Sequence, residues 1–520
     1  MGIHKKELSV AGREILGQCE LLGMFDKSPN MTKEELREYY NSIASERDTW
    51  KKRNWYYYHD LENFHTFIVP PNHTVLELGC GTGDLLNVVK PSKGVGIDIS
   101  DMMVEIAGKK YPDLEFKRRD AERLEIDEKF DYIIISNLIG SLNNIWQVFR
   151  ELKKVTHPCS RVVVTYYNYL WEPSLRLAET IGLKMNEGLQ NWLSLTDIEN
   201  LLYLNDFEIV RKGYRFLFPK YIRLISGALN KFLANVPLIR RCCLTEFVIA
   251  RPAGNFQPIP DYSCSVVIPC RNEAGNIEDA VKRIPQMGKH TEIIFVDGHS
   301  TDGTAEKIEE MMAQYPEKNC RLIHQVPRKS PNGVFSEEQR RPPNKMLRLG
   351  KGDAVRKGFE VASGDILMIL DGDLTVAPED LPKFYLAIAE GKGEFINGSR
   401  LVYAMEKKAM RLLNIFANKI FGLIFTWLLE QPVKDTLCGT KVLFKKDYLR
   451  IKEGRKFFGD FDPYGDFDLL LGAAKLNLKI VEMPVRYRQR VYGDIKIRRF
   501  KHGWLLLKMS LFAMKKLKFL

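Results

Sequence analysis

Short apolar runs, each followed by a helical stretch, recur along this 520-residue chain in two separate series, and that alternation restricts it to α/β architecture. The first series has runs at Thr74–Leu78, Gly94–Ile99, Leu114–Lys117, Tyr132–Ser136, Arg161–Tyr166, Phe207–Phe216 and Thr245–Ala250. The second has them at Cys264–Pro269, Glu292–Asp297, Asp365–Leu370, Phe395–Gly398, Thr440–Phe444 and Lys479–Pro484. Between the series, Arg251-Pro-Ala-Gly-Asn-Phe-Gln-Pro-Ile-Pro260 carries three prolines and reads as a linker. The expected layout is an N-terminal extension over 1–30, one domain over 31–251, a linker over 252–262, a second domain over 263–500 and a basic, apolar segment over 501–520. The glycine loops of the two halves are of different types, so the halves are not a repeat.

Charge is placed unevenly. The formal net charge is +12, and residues 486–520 alone hold eleven Lys/Arg against one acid, Asp494. Those cations are interleaved with Trp504, Leu505, Leu506, Leu507, Leu511 and Phe512, which favours an anionic membrane surface over nucleic acid. Nine cysteines, with no Cys-x-x-Cys pair, read as core residues of a reducing compartment and not as a disulfide or zinc framework. The start of the chain has no apolar h-region, and the longest apolar stretch, 412–429, is interrupted by Asn414, Asn418 and Lys419. The expectation is a cytoplasmic protein lying peripherally on the inner face of a membrane. Two further segments draw notice: a basic, proline-rich loop over 326–346, read as either a lid or a tolerated insertion, and a helical insertion between Phe216 and Cys242, expected to cover the active face of the first domain or simply to pack.

In the first half, Val75-Leu-Glu-Leu-Gly-Cys-Gly-Thr-Gly-Asp84 runs from strand through glycine turn into helix. A dinucleotide loop would want a small residue where Asp84 stands. The glycines suit close backbone approach to a compact ligand, with Glu77 and Asp84 near a cationic group. Asp98 ends the next strand, where a carboxylate can accept both hydroxyls of a ribose, and Asp120 follows the third strand. These residues resemble the class I S-adenosylmethionine-dependent methyltransferases, with a Rossmann-like fold, over roughly 31–250. Leu78-Gly-Cys-Gly-Thr-Gly83, the downstream Asp98 and the upstream Tyr39-Tyr-Asn-Ser-Ile-Ala-Ser45 carry the likeness. The resemblance implies that Glu77, Gly79, Gly81, Gly83 and Asp98 bind S-adenosylmethionine, that Asp120 meets adenine and that Asn137 lines the methyl-donor end. His157, Tyr166 and Tyr167 are each either a base or packing.

In the second half, Ser265-Val-Val-Ile-Pro-Cys-Arg-Asn-Glu273 and Phe295-Val-Asp-Gly-His-Ser-Thr-Asp-Gly-Thr304 are buried strands breaking into polar loops. Ligands of such sheets bind at the carboxyl ends of the strands. Asp297 is placed for a base or ribose, and Lys351 opens a glycine-rich helix start that suits a phosphate. Asp371-Gly-Asp373, at the tip of the strand Asp365–Leu370, offers two hard oxygen ligands for Mg²⁺ or Mn²⁺ holding a nucleotide-sugar diphosphate. This half resembles family 2 glycosyltransferases of GT-A fold over 263–500, and within them the dolichyl- or polyprenyl-phosphate sugar transferases. Asn397-Gly-Ser-Arg400, Arg411 with Asn414 and Asn418, Asp435-Thr-Leu-Cys-Gly-Thr-Lys441, Glu482-Met-Pro-Val485 and Arg490-Val-Tyr-Gly-Asp-Ile-Lys496 carry that likeness. Thr375 stands where eukaryotic and archaeal members commonly have glutamine, and Asp494-Ile495 replaces their Glu-Ser.

The resemblance implies an inverting, metal-dependent transfer. Pro269, Arg271, Glu273, Asp297, Lys351 and Asp371 would hold the donor, Asp371 and Asp373 the metal, and Arg400, Arg490 and Lys496 the acceptor phosphate. If the acceptor were a glycan hydroxyl, a base would be needed, and Asp466 or Asp468 would supply it or merely cap the helix that follows. The sequence thus predicts a bifunctional enzyme, with two alternatives open: transfer to a glycan hydroxyl, and a first domain that binds cofactor or docks without catalysing. Neither the sugar nor the methyl acceptor nor the oligomeric state is written in it.

Overall fold

A computed structural model describes residues 32–188, 190–253, 261–325, 350–400, 412–457, 465–492 and 499–518. The extension 1–30, most of the linker, the basic loop 326–346, Arg411, Asp494 and Lys496, and the side chains of Asn414, Asp466 and Lys501 lie outside the described residues.

Each series of runs forms one seven-stranded sheet. The first holds β1 (Thr74–Leu78), β2 (Lys93–Asp98), β3 (Glu115–Arg118), β4 (Phe130–Ser136), β5 (Thr156–Tyr167), β6 (Phe207–Arg215) and β7 (Thr245–Pro252). Their order is β3-β2-β1-β4-β5-β7-β6, all parallel except β7, which runs antiparallel to both of its neighbours. The second holds β8 (Ser263–Cys270), β9 (His290–Asp297), β10 (Cys320–His324), β11 (Ile366–Ile369), β12 (Phe395–Ser399), β13 (Lys441–Phe444) and β14 (Ile480–Pro484). Its order is β10-β9-β8-β11-β13-β12-β14, with β13 antiparallel between β11 and β12. Parallel strands covered by helices on both faces read as unbroken apolar runs, and Ile133–Ile135 and Ile366–Ile369 are wholly buried on that account. In both sheets the strand order reverses beside the first strand, between β1 and β4 and between β8 and β11. That reversal opens a crevice at the carboxyl ends.

The sequence placed thirteen of these fourteen strands and missed β10. Cys-Arg-Leu-Ile-His is a short edge strand pairing with β9 alone, and its side chains are only partly buried, so it lacks the apolar signature of its neighbours.

The halves are clamped by buried ion pairs. Arg161 Nη2 lies 2.6 Å from Glu394 Oε2, Arg251 Nη1 lies 3.4 Å from the same oxygen, and Arg211 Nη2 lies 2.8 Å from Glu430 Oε2. Asn477 joins the same interface, accepting from Arg211 Nη1 at 2.9 Å and donating to the Ile68 carbonyl at 3.1 Å. Burial opposes ionisation of Glu430, but Lys518, Arg211 and Arg240 outweigh it and hold its carboxyl at about 2.

The C-terminal segment forms the helix Arg499–Leu517. Leu506, Met509, Ala513 and Leu517 are buried in the core shared with the helix Leu412–Leu429, while Trp504, Leu507 and Leu511 face out. Among the described residues no helix is long and apolar enough to cross a membrane.

Candidate functional sites at the carboxyl ends of the two sheets

The first site lies where β1 and β2 end. Gly79 and Gly81 adopt φ of +69° and +51°, a left-handed backbone that side chains disfavour. Gly79 N donates to the Ile97 carbonyl at 2.8 Å, which closes the loop over β2. A Cβ on Gly81 would meet nothing within 4 Å, so that face is open to a ligand. Asp98 sits beside it, its Oδ2 accepting from Gly81 N and its Oδ1 from Ser100 N, both at 2.9 Å. Gly79, Gly81, Asp98, Asp120 and Asn137 line one cleft. Asn137, at φ +53°, donates to Tyr57 Oη at 3.0 Å, and Asp120 is held by Lys33 at 3.1 Å.

Three expected residues do not line this cleft themselves. Glu77 sits buried beneath the loop; burial pushes its carboxyl up to about 8, and its Oε2 has no hydrogen-bond partner. A Cβ on Gly83 would lie 2.7 Å from the Phe116 ring, so this glycine serves the packing of the loop against β3. Asp84 is not left for a ligand's charge: burial opposes its ionisation, but Lys51 at 2.7 Å and Lys110 at 2.6 Å hold it well below the usual carboxylate range. Nor does the insertion line this cleft. The helix Lys33–Arg53 does so, through Lys33, Leu36, Tyr40 and Arg47. Thr32 starts that helix, its Oγ1 accepting from Glu35 N at 3.2 Å while Glu35 accepts from Thr32 N at 2.7 Å, a reciprocal cap.

Two lining residues escaped the sequence. Glu187 accepts from Arg47 Nη1 at 2.7 Å and from Lys184 at 2.9 Å. Burial opposes its ionisation, yet Lys184 and Arg47 hold it at about 2. Arg47 and Glu187 are 140 residues apart, beyond any local pattern. Of the residues weighed as bases, His157 lies at the opposite end of β5, beside Asp131 at 3.2 Å. Tyr166 is buried, donates to the Asn191 carbonyl at 2.6 Å and has its phenol raised by that burial. Tyr167 is raised likewise.

The second site is at the ends of β8, β9 and β11. Asp297 ends β9 and is buried, accepting from Ser300 N at 3.2 Å. Pro269 and Arg271 flank the β8 end, the Pro269 carbonyl facing Gly372. Lys351 Nζ lies 2.6 Å from Asp371 Oδ1. Burial opposes ionisation of Asp371, but Lys351 foremost, then Lys441 and Arg400, hold it below its ordinary value. Thr375 caps its neighbour, Oγ1 donating to Asp373 Oδ1 at 2.9 Å. Arg490, expected at an acceptor phosphate, bridges Asp373 and Glu273 instead, bonding the first and lying 3.7 Å from the second. Arg400 gives Nε and Nη2 to the fully buried Asp435 at 2.7 and 2.9 Å, and stands 5.1 Å over the Tyr487 ring. Asn418 Nδ2 also donates to Asp435, at 2.9 Å.

Asp466 opens the helix Asp466–Lys475, and Gly465 before it packs against Gly352 next to Lys351. Asp468 Oδ2 accepts from Arg455 Nε at 2.9 Å, a buried pair the sequence did not foresee. Among the described residues no cluster of three His, Cys, Asp or Glu side chains is poised around one point. Asp371 and Asp373 give a hard-oxygen pair, which fits a divalent cation only if phosphate oxygens complete its shell.

Comparison with known proteins agrees with this division. Residues 50–212 match the family described as "Methyltransferase domain", and residues 265–332 with 345–451 match "Glycosyl transferase family 2". A "Dolichol-phosphate mannosyltransferase" of Pyrococcus furiosus is 30% identical over 243 residues, covering 45% of this chain and 59% of that protein. "Glycosyltransferase AglJ" of Haloferax volcanii is 27% identical over 238 residues, covering 46% of this chain and 66% of its own. The chain thus spans about 59–66% of the length of these two relatives. Magnesium protoporphyrin IX methyltransferase from Synechocystis PCC 6803, solved with bound SAM, aligns at 16% identity and a TM-score of 0.30 over 44% of this chain and all of that one. The N-terminal half thus carries a methyltransferase domain, and the C-terminal half a family 2 glycosyltransferase domain.

Proposed function

We propose that the C-terminal half transfers a sugar, with inversion, from a nucleoside-diphosphate sugar to a polyprenyl phosphate (dolichyl or undecaprenyl). The N-terminal half, on the same reading, methylates a small molecule or glycan intermediate. The observation that carries the first part is the convergence of Lys351, Asp371, Asp373, Arg490 and Arg400 at the carboxyl ends of one sheet. Each cation there is held by a carboxylate, Lys351 by Asp371, Arg490 by Asp373 and Glu273, and Arg400 by Asp435, which fixes it where diphosphate and phosphate groups would lie. Asp371 and Asp373 would hold Mg²⁺ or Mn²⁺, which supplies charge neutralisation for the departing diphosphate. Lys351 would pass from Asp371 to a donor phosphate, and Arg490 would tie the loop after β14 to the β8 loop through Glu273. Arg400, oriented by Asp435, would position the acceptor. The name of the Pyrococcus furiosus relative supports the lipid-phosphate acceptor, and the exposed apolar side of the C-terminal helix supports work at the inner face of a membrane.

A phosphate acceptor is already ionised at neutral pH and needs no general base. The Asp468–Arg455 pair makes Asp468 the poorer of the two candidate bases for a hydroxyl acceptor, because a guanidinium partner weakens a carboxylate as a base. Asp468→Asn is therefore expected to keep transfer to polyprenyl phosphate within about threefold. A loss of about 10²–10⁴-fold, measured with labelled donor, would instead mark general-base chemistry and a hydroxyl acceptor.

Gly439 gives a sharper test of the site. A Cβ there would fall 2.0 Å from Asp371 Oδ2 and 2.5 Å from Lys351 Nζ. Gly439→Ala should cut sugar transfer by about 10²-fold through misplacement of those groups, with an unchanged far-ultraviolet spectrum.

In the first half, S-adenosylmethionine supplies an electrophilic methyl group when bound. Asp98 would accept the ribose hydroxyls, Asp120 the adenine amine, and the open face of Gly81 would admit the ligand backbone-close. Glu77 is neutral at pH 7 with a carboxyl near 8, and a cationic ligand overhead would favour its ionised form. Cofactor binding should then release a proton and strengthen as pH rises from 6 through 8, levelling off above. Calorimetry in buffers of differing ionisation enthalpy reads this directly; identical heats would refute it. Transfer of labelled methyl groups from S-adenosylmethionine to any cell fraction would exclude a merely docking first domain.

A further inference from the structure

The insertion between β6 and β7 lines neither candidate site, yet it is the most conspicuous apolar surface of the first half. Residues 217–244 contain five cations, Lys220, Arg223, Lys231, Arg240 and Arg241, and no acid. Its large apolar side chains point outward: Leu224 is 84% and Leu238 81% exposed, with Tyr221, Ile222, Ile225 and Val236 also exposed. Outward-facing apolar surface on this scale marks an interaction site.

The segment is built, not loose. Asn230 fixes it from within, accepting from Phe218 N at 2.8 Å and donating to the Phe218 carbonyl at 2.9 Å. Ser226 does the same, accepting from Ile222 N at 2.6 Å and donating to the Lys220 carbonyl at 2.7 Å. It is also anchored to the other half. Trp427 Nε1 donates to the Asn235 carbonyl at 3.0 Å, and Asn235 Nδ2 donates to the Lys518 carbonyl at 3.2 Å. Those contacts set it beside the ends of the helices Leu412–Leu429 and Arg499–Leu517. These helices expose Ile420, Leu423, Trp504 and Leu511, with Lys508 and Lys515 exposed among them.

We propose that residues 217–244 are a membrane-docking element of the methyltransferase half, seating it on the anionic bilayer that the two C-terminal helices also meet. The proposal extends the lipid-surface reading of those helices and rests on it. Charge selects the occupant. An apolar surface set among cations without acids complements a layer of anionic headgroups, which attracts each cation within a Debye length. Arg240 turns inward to Glu430, and pairing with a second copy would bring the other four cations of each copy, eight like charges, together. Both halves would then share one membrane, so that a lipid-linked product of one is at hand for the other.

Vesicle flotation of the full chain tests this, with phosphatidylcholine alone and with added phosphatidylserine. The parent should float with the anionic vesicles and come off as salt rises. Leu224→Ser/Leu238→Ser should lose about tenfold of that binding, by withdrawal of two leucines from an apolar layer, while S-adenosylmethionine binding, remote from both residues, reports that the domain is folded. Undiminished flotation of this variant, with loss in Leu423→Ser/Leu511→Ser, would overturn the proposal and leave the helices as the membrane contact. A parent that floats with neither vesicle would overturn both readings. A dimer by light scattering that the Leu224→Ser/Leu238→Ser variant converts to monomer would make the surface a subunit interface and overturn the proposal as well.

Discussion

Replacing Asp371 or Asp373 with alanine should lower sugar transfer by about 10²–10³-fold each, the scale of losing one preorganised charge contact to a developing anion. The two losses should not multiply, because on the proposed reading the carboxylates serve one cation and one diphosphate, and groups acting as a unit are not additive. The cations around them sharpen the expectation. Lys351, Lys441 and Arg400 already favour the ionised form of Asp371, so the site is ready at neutral pH and transfer should not rise on further alkalinisation. Removing Asp373 also takes one carboxylate partner from Arg490 and leaves Glu273, so nucleotide-sugar affinity should fall less than turnover does. Asp371→Asn, which keeps the shape and drops the charge, should be nearly as impaired as Asp371→Ala. Initial rates against donor concentration separate these effects.

The second large effect concerns the joint between the halves. Glu394 is the shared counterion of Arg161 and Arg251, each 3% exposed and drawn from the other half. Glu394→Ala leaves both guanidinium groups buried without it, and breaking a buried pair in this way costs about 3–5 kcal/mol. The loss should appear in urea unfolding as an early transition in which the halves part before either sheet unfolds. Acid should act on the same joint. Glu394 is held below 4.5, and Glu430 lies at about 2 against 4.5 when unfolded. Carboxylates lowered by folding contribute stability that is whole above pH 4.5 and drains away as pH falls toward 2. Glu394→Ala should therefore flatten the acid limb of the stability profile; an unchanged limb would contradict this account of the joint.

Much of this architecture was legible because parallel strands buried on both faces must be continuously apolar, and because glycine loops and paired carboxylates must follow their carboxyl ends. β10 escaped for the converse reason: an edge strand with partly solvated side chains owes little to that pattern. The cleft residues Gly79, Gly81, Asp98, Asp120 and Asn137 were reachable because each ends or closely follows a strand. Glu187 and Arg47 were not, since their pairing across 140 residues leaves no spacing to read. Asp84 shows a further limit. Its place beside the loop was plain, but Lys51 and Lys110, which neutralise it, arrive from helices whose packing no local motif specifies. Arg490 was recognised as a phosphate-seeking residue, whereas its bridge between Asp373 and Glu273 depends on how the chain after β14 folds back over β8 and β11.

The central claim is that this chain moves a sugar onto a lipid phosphate. The most direct test offers GDP- and UDP-sugars, one at a time, with dolichyl or undecaprenyl phosphate and Mg²⁺ or Mn²⁺, and counts label in the organic-extractable fraction. One donor should give lipid-linked label, lost on adding EDTA and lost in both Asp371→Ala and Asp373→Ala. Tight nucleotide-sugar binding with no lipid label from any donor would contradict the claim.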